Sequence, residues 1–374
     1  MSTFIGKSET TRRTLELLRS ARLASQNVLL WGAPGIGKTA LIRTLAEQED
    51  AELRILIGSV LDPTDVAGLP ILSTDENGTP ITRSTLPDWA AALNAAAEAG
   101  RGAILFLDEL STTTPSVQAA LLSLVQGRLV GQHKLHDDVW IVAAANDSSV
   151  AADGWTLAPP MANRFSHADY AFDQEDWFDG MRVGFGKENI SDSEKEARGL
   201  IIAFLRQNIK LISSMPDDPD EAGKAWPSPR SWDNAATHLG YIKDKAVRRV
   251  ALRGYVGDTA ESAYDLWHKA LKLPPYAEVI ANPDKFAWDK FKTDEVYMIL
   301  QTVLDNVNKD NIKESANVFE VANTKGSRTD VCAALALPLI ETVTGILNSQ
   351  GIKDRTILLN LFKSYSKELK EADI

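Results

Sequence analysis

Gly32-Ala33-Pro34-Gly35-Ile36-Gly37-Lys38-Thr39 is the stretch on which the reading of the whole chain turns. It follows the apolar run Val28-Leu29-Leu30-Trp31 and leads into Ala40-Leu41-Ile42-Arg43, a segment with helical character. The spacing G-x-x-x-x-G-K-[ST] between a strand and a helix is that of a phosphate-binding loop. Glycines let the backbone curl so that successive N–H groups face inward, and the start of the helix adds partial positive charge. Gly32, Ala33, Pro34, Gly35, Ile36, Gly37, Lys38 and Thr39 are then the cradle. Lys38 reaches the β- and γ-phosphates and the Thr39 hydroxyl ligates Mg2+. ATP and Mg2+ are the expected ligands. A chance match in a glycine-containing loop is the alternative, and the flanking strand and helix count against it.

Ile104-Leu105-Phe106-Leu107-Asp108-Glu109 is an apolar strand ending in two carboxylates. A strand buried on both faces delivers its last residues to the crevice above the sheet, where phosphates sit. Asp108 is expected to hold Mg2+ through water, which makes Thr39 and Asp108 the metal-binding pair. Glu109 is expected to act as general base on the attacking water. The alternative is an acidic pair that merely ends a strand and caps the next helix. Trp140–Ala145 runs into Asn146-Asp147; an amide there can orient the lytic water, though Asn-Asp also favours a turn. Arg164, in Met161-Ala162-Asn163-Arg164-Phe165, is the candidate for the positive charge that such sites place on the γ-phosphate, often from a neighbouring subunit. Arg230, in Pro227-Ser228-Pro229-Arg230-Ser231, opens a helix where a lid would touch nucleotide. For both arginines a solvent-facing role is the alternative. The catalytic candidates are thus Glu109, Asn146, Arg164 and Arg230.

Outward from these motifs, the first half alternates short apolar runs with amphipathic stretches, the pattern of an α/β domain with a parallel sheet. Strands are expected at Val28–Trp31, Leu53–Gly58, Ala103–Leu107, Val139–Ala145 and His167–Phe172. Helices are expected at Glu9–Ala21, Lys38–Glu49, Pro87–Ala99 and Pro115–Gln126. After Phe172 the periodicity is helical, over Glu194–Leu211, Ser231–Tyr241, Lys245–Val256 and Ala260–Leu271. Leu273-Pro274-Pro275 reads as a joint, followed by helices at Asp294–Asn308, Val331–Leu347 and Asp354–Lys370. The expected division is a nucleotide-binding core over 1–173, a helical lid over 174–272 and a helical extension over 273–374. Asn77-Gly78 between β-branched or apolar flanks is a hairpin signal, and Gly127–Leu135 reads as a second hairpin.

The 374 residues are 44% hydrophobic and 24% charged, with a formal net charge of −11. That excess of acid disfavours general nucleic-acid binding, which needs clustered Lys and Arg to displace counterions. No unbroken run of 18 apolar residues and no basic-then-apolar leader appear, so neither a membrane span nor a secretory signal is expected. Cys332 is the single cysteine and is expected to be a buried thiol. A cytoplasmic location is the expectation. The five histidines show no metal-ligand spacing, and the tryptophans read as packing residues.

The order of these elements resembles the AAA+ ATPases, and within them the MoxR-like branch. The residues that carry the resemblance are Gly32–Thr39, Leu61-Asp-Pro-Thr-Asp-Val-Ala-Gly-Leu-Pro70, Phe106-Leu-Asp-Glu-Leu110, Gln118-Ala-Ala-Leu-Leu122, Ala144-Ala-Asn146, Ala162-Asn-Arg-Phe165 and Ser228-Pro-Arg230. It covers about residues 4 to 240. The resemblance implies a P-loop NTPase core with a five-stranded parallel sheet in the order 5-1-4-3-2 and an all-α lid. By carry-over, Asn146 is sensor 1, Arg164 the arginine finger and Arg230 sensor 2, acting on its own or a neighbour's nucleotide. Ile5 and Gly6 sit where this family contacts adenine. The finger motif usually reads Asp-Arg-Phe, and here Asn163 replaces the acid. The family implies a homo-oligomeric, hexameric ring that hydrolyses ATP and acts as a chaperone on a protein client, such as a von Willebrand A-type domain protein. The alternative is the motor subunit of a metal-chelatase-like complex. A transcription activator of related architecture would carry Gly-Ala-Phe-Thr-Gly-Ala, which is absent.

Overall fold

The computed structural model describes residues 8–146, 156–187, 189–271, 273–324, 329–349 and 355–365. The chain forms two compact units, Met1–Gly180 and Met181–Ile374.

The first unit begins with α1 (Glu9–Leu23), capped by the Ser8 hydroxyl on Thr11 N–H, then β1 (Val28–Trp31) and α2 (Lys38–Gln48). Next come β2 (Glu52–Ile57), α3 (Pro63–Ala67) and a hairpin of β3 (Pro70–Thr74) with β4 (Pro80–Ser84). After α4 (Asp88–Glu98) lie β5 (Ala103–Asp108), α5 (Pro115–Gly127) and the short hairpin of β6 (Leu129–Val130) with β7 (His133–Lys134). The unit closes with β8 (Val139–Ala145), α6 (Pro159–Ala162) and β9 (Ser166–Asp169).

β2, β5, β8, β1 and β9 form one all-parallel sheet in that order. Counted along the chain as five strands this is 2-3-4-1-5, the expected 5-1-4-3-2 read from the other edge. Alternate residues of the central strands feed opposite faces, as period-two geometry requires. Leu29, Leu105, Leu107, Ile141 and Ala143 meet α4 and α5. Val28, Leu30, Ile104, Phe106, Val142 and Ala144 meet α1 and α2. Every residue of β8 is buried, which is why these strands read as continuous apolar runs rather than alternating ones. Both hairpins form where the sequence places them. The first turns over Asp75–Thr79 rather than two residues, because the Asp75 carboxylate accepts from Asn77 N–H (2.9 Å) and Thr79 N–H (2.7 Å).

α7 (Gln174–Val183) carries the chain across the boundary. The second unit holds α8 (Asp192–Gln207), α9 (Pro219–Ala222), α10 (Pro229–Leu239), α11 (Lys245–Ala270) and α12 (Tyr276–Ala281). It continues with α13 (Thr293–Asp305), α14 (Ile312–Thr324), α15 (Thr329–Ser349) and α16 (Thr356–Ser364). α8 packs on both α10 and α13. Arg198 of α8 is fully buried, where its guanidinium donates to Glu194 (2.7 Å) and Asp233 (2.8 Å), so charge pairing rather than hydration compensates it. Trp232 is buried, packs against Phe204 with the rings tilted at 54° and donates to Leu211 O, a packing role as expected. Cys332 is buried.

Val331–Ser349 has a mean hydropathy of 1.7 and is long enough to cross a membrane, although no unbroken apolar run exists there. Pro338, Glu341, Thr342, Thr344 and Gly345 interrupt the run without lowering its average enough. Half of this stretch is buried within the protein, and α15 packs against α13, α14 and α16, which fits a core helix.

Candidate active site

The phosphate loop joins the carboxyl end of β1 to α2. Gly35 (φ 77°) and Gly37 (φ 101°) adopt left-handed backbone that other residues take only at a cost. Gly32 is needed for a different reason: a Cβ there would meet Ile36 Cδ1 at 2.8 Å and Tyr170 O at 2.9 Å. Gly37 is the N-cap of α2 and offers no side-chain acceptor, so the first amides of an 11-residue helix are not satisfied by a cap. That is the donor-rich end that favours an anion.

Lys38 is buried, and its Nζ donates to Gly32 O (2.7 Å), Ala33 O (2.9 Å) and Asn146 Oδ1 (2.8 Å). The ammonium is thus held among oxygens inside the curl of the loop. β8 lies directly beside β1, and Asn146 follows its last residue, so the sheet order delivers this amide to the lysine. Asn146 N–H donates to Ser111 Oγ (3.2 Å). On the other side of β8, β5 ends at Asp108, whose Oδ2 accepts from the Thr39 hydroxyl at 2.6 Å. Thr39 and Asp108 therefore present two hard oxygens side by side. Mg2+ retains several waters and needs only one or two protein oxygens beside those of a triphosphate, so this pair fits the ion.

Glu109 follows Asp108 in left-handed backbone (φ 55°, ψ 40°), an unusual state for a residue with a Cβ. Its Oε2 accepts from Ser59 Oγ at 2.6 Å. Gly58 makes the close approach possible, because a Cβ there would stand 2.4 Å from Glu109 O. Strain of roughly 1–3 kcal/mol collects at such positions when the surroundings enforce it.

The structure thus gathers Gly32–Thr39, Asp108, Glu109 and Asn146 at the carboxyl ends of adjacent strands. It does not bring Arg164 to them. In the β1–β9 register Val28 pairs with Ser166, so Arg164 precedes the amino end of β9 while the phosphate loop follows the carboxyl end of β1. Asn27, just before β1, donates to Arg164 O (3.4 Å). Arg230 belongs to the second unit, exposed at the second position of α10. There Ser228 is the N-cap, in a reciprocal pair with Ser231, and Pro229 occupies the first turn. Ile5 and Gly6 lie outside the described residues.

Gly58, Ser59, Ser111 and Tyr170 are neighbours of the site that sequence reading did not single out. Ser59 carries a readable signal, a polar residue just past the end of an apolar strand, but only the pairing of Ile57 with Asp108 shows which acid it meets. Burial, and secondarily Asp176 and Asp173, push the Tyr170 phenol up to about 12. It stays neutral beside the phosphate loop and adds no negative charge there. Among the described residues no group of three or more His, Cys, Asp or Glu is arranged to hold a metal.

Residues 27–166 match the family model described as "ATPase family associated with various cellular activities (AAA)". The chain is 28% identical over 150 residues to the phenol regulator MopR of Acinetobacter guillouiae, covering 38% of this chain and 25% of that protein. It is 36% identical over 112 residues to the chaperone protein ClpB of Rhodopseudomonas palustris, covering 29% of this chain and 12% of that one. It therefore spans a quarter or less of either relative. Among solved structures, the Thermotoga maritima RuvB Holliday junction branch migration motor is similar over 75% of this chain and 77% of its own, at 16% identity and a TM-score of 0.34.

Proposed function

We propose, from the premise that residues 27–166 are an AAA-family ATPase domain, that the chain is a ring-forming motor of MoxR-like type. In this reading ATP hydrolysis drives the remodelling, maturation or assembly of a partner protein complex. One observation carries the hydrolytic part. Lys38–Asn146 and Thr39–Asp108 are hydrogen-bonded pairs that join the phosphate loop to the ends of β8 and β5. Four residue types that serve phosphoryl transfer are thus already assembled, with Glu109 next to them.

In this reading the loop amides and Lys38 bind the phosphates, and Thr39 and Asp108 would hold Mg2+. When bound, that ion neutralises charge on the phosphate oxygens. Asn146 orients the attacking water, and Glu109 takes its proton. Glu109 Oε2 accepts from the Ser59 hydroxyl at 2.6 Å, so release of that bond and engagement of water are alternative states of this oxygen. Arg164, remote from its own chain's loop, serves a neighbour's γ-phosphate, which makes a ring necessary for turnover. The net charge of −11 supports a protein client over a nucleic acid.

Mixed rings test this reading. Arg164→Ala keeps a complete loop but no finger, and Lys38→Ala keeps a finger but no working loop. Each is expected to be inactive alone, and mixtures are expected to regain turnover with a maximum at intermediate ratios. No activity in any proportion contradicts trans action.

A further inference from the structure

We infer that His167 is a positioning residue for Arg164, a strut that ties the Arg164 loop to the strand that feeds the phosphate loop. The inference rests on the reading of Arg164 as the residue that acts on a neighbour's nucleotide.

Trp31 is the last residue of β1 and directly precedes Gly32. Its indole Nε1 donates to His167 Nδ1 at 2.9 Å, and the two rings stack with centroids 5.9 Å apart at 28°. The other imidazole nitrogen, Nε2, is 2.9 Å from Ala162 O, two residues before Arg164. An indole N–H only donates, so Nδ1 must accept. In the neutral ring Nε2 then carries the proton and donates to the Ala162 carbonyl. A single tautomer satisfies both ends, and the imidazole becomes a rigid spacer along β9.

The two ends of the spacer differ in firmness. Trp31 is paired on both sides, with Ala145 and Asp169, and its carbonyl accepts from Tyr170 N–H at 2.7 Å. Ala162 ends a helix of four residues. Beyond it the backbone is held by Asn163 N–H on Pro159 O (3.1 Å), Arg164 N–H on Met161 O (3.1 Å), Phe165 N–H on Ala162 O (3.3 Å), Ser166 N–H on Asn27 O (2.8 Å) and the long Asn27 contact at 3.4 Å. Trp31 is therefore the anchor and the Arg164 turn is the part held. Among the described residues, the Arg164 guanidinium makes no hydrogen bond or ion pair of its own. Its aim is set by its backbone, and this strut joins the turn's own hydrogen bonds in holding that backbone. His167 is exposed and sits on an edge strand, so its replacement leaves the core packing intact.

The consequence is directional. The strut acts on the subunit that donates the arginine, not on the one whose nucleotide is hydrolysed. His167→Phe keeps a planar ring and loses both hydrogen bonds. In mixed rings of Arg164→Ala and Lys38→Ala subunits, His167→Phe placed in the Lys38→Ala subunit is expected to lower turnover ~10–100-fold, the scale of a misplaced catalytic group. Placed instead in the Arg164→Ala subunit, whose arginine is already gone, it is expected to lower turnover no further. His167→Gln in the Lys38→Ala subunit, which can accept from Trp31 and donate to Ala162, is expected to restore much of the loss. Equal loss from either subunit, or no loss in the donating one, overturns the strut. An unmodified mixture without turnover overturns the trans reading of Arg164, and the inference with it.

Discussion

Glu109 shows how much a single residue's function depends on neighbours far away in sequence. Its left-handed backbone and its bond to Ser59 are both made possible by Gly58, which leaves 2.4 Å where a Cβ would stand. Gly58→Ala must push against a backbone carbonyl, which cannot rotate away as a flexible side chain would. It is expected to retain ATP binding while turnover falls ~10–100-fold, the scale of a displaced catalytic group; nucleotide titration beside a phosphate-release assay separates the two, and normal turnover would contradict the contact. Tyr170 offers a second test. Its folded pKa, about 12, lies above the ordinary 10.0, so below pH 10 it adds no pH dependence to stability. Between about 10 and about 12 the unfolded chain loses the proton first, and stability falls as pH rises. Tyr170→Phe removes that term, so its alkaline unfolding midpoint should lie above that of the unaltered protein; an unchanged midpoint refutes the assignment. Gly32–Thr39, Asp108, Glu109 and Asn146 were legible because each motif is local in sequence. Gly58, Ser59 and Tyr170 were not, because their roles arise only from which strands become neighbours.

At the scale of elements, buried parallel strands were legible because burial on both faces leaves unbroken apolar runs, as in Val139–Ala145. α7 and α14 are hard to read from sequence because polar residues enter their buried stripes, Asp176 in Gln174–Val183 and Ser315 in Ile312–Thr324. α11 is the instructive case. The sequence reads as two helices on either side of Gly257, and the backbone does leave helical geometry there (φ 78°, ψ 170°). Arg249 pairs with Asp265 and Arg253 with Glu261, partners placed symmetrically about that glycine, so the two halves fold back as a hairpin. A Cβ at 257 would also stand 2.6 Å from Ala225 O. Gly257→Ala is therefore expected to destabilise the helical unit by at least ~1–3 kcal/mol, the cost of placing a residue with a Cβ in this glycine-only backbone region. Calorimetry should register this as a lower unfolding temperature for that unit, and an unshifted transition would argue against the hairpin.

At the scale of the whole molecule, the candidate site lies in the first unit, where residues 27–166 match an ATPase family and Arg164 stands at the opposite end of the sheet from the phosphate loop. The helical unit, from Met181 onward, lies outside that match and carries Arg230 at the start of α10. Its fold was legible as helix but its connectivity was not, since α8 packs against α13 across about a hundred residues of chain. Such long-range packing leaves no local trace in a sequence. The central claim is that a triphosphate held by Lys38 and its loop is hydrolysed with Glu109 as base. Glu109→Gln keeps the cradle and removes the base, so radiolabelled ATP binding and turnover on one preparation test the claim together. One ATP retained per chain with turnover lowered at least ~100-fold is the expected result. Near-normal turnover by this variant, or no retained nucleotide on a folded protein, would contradict it.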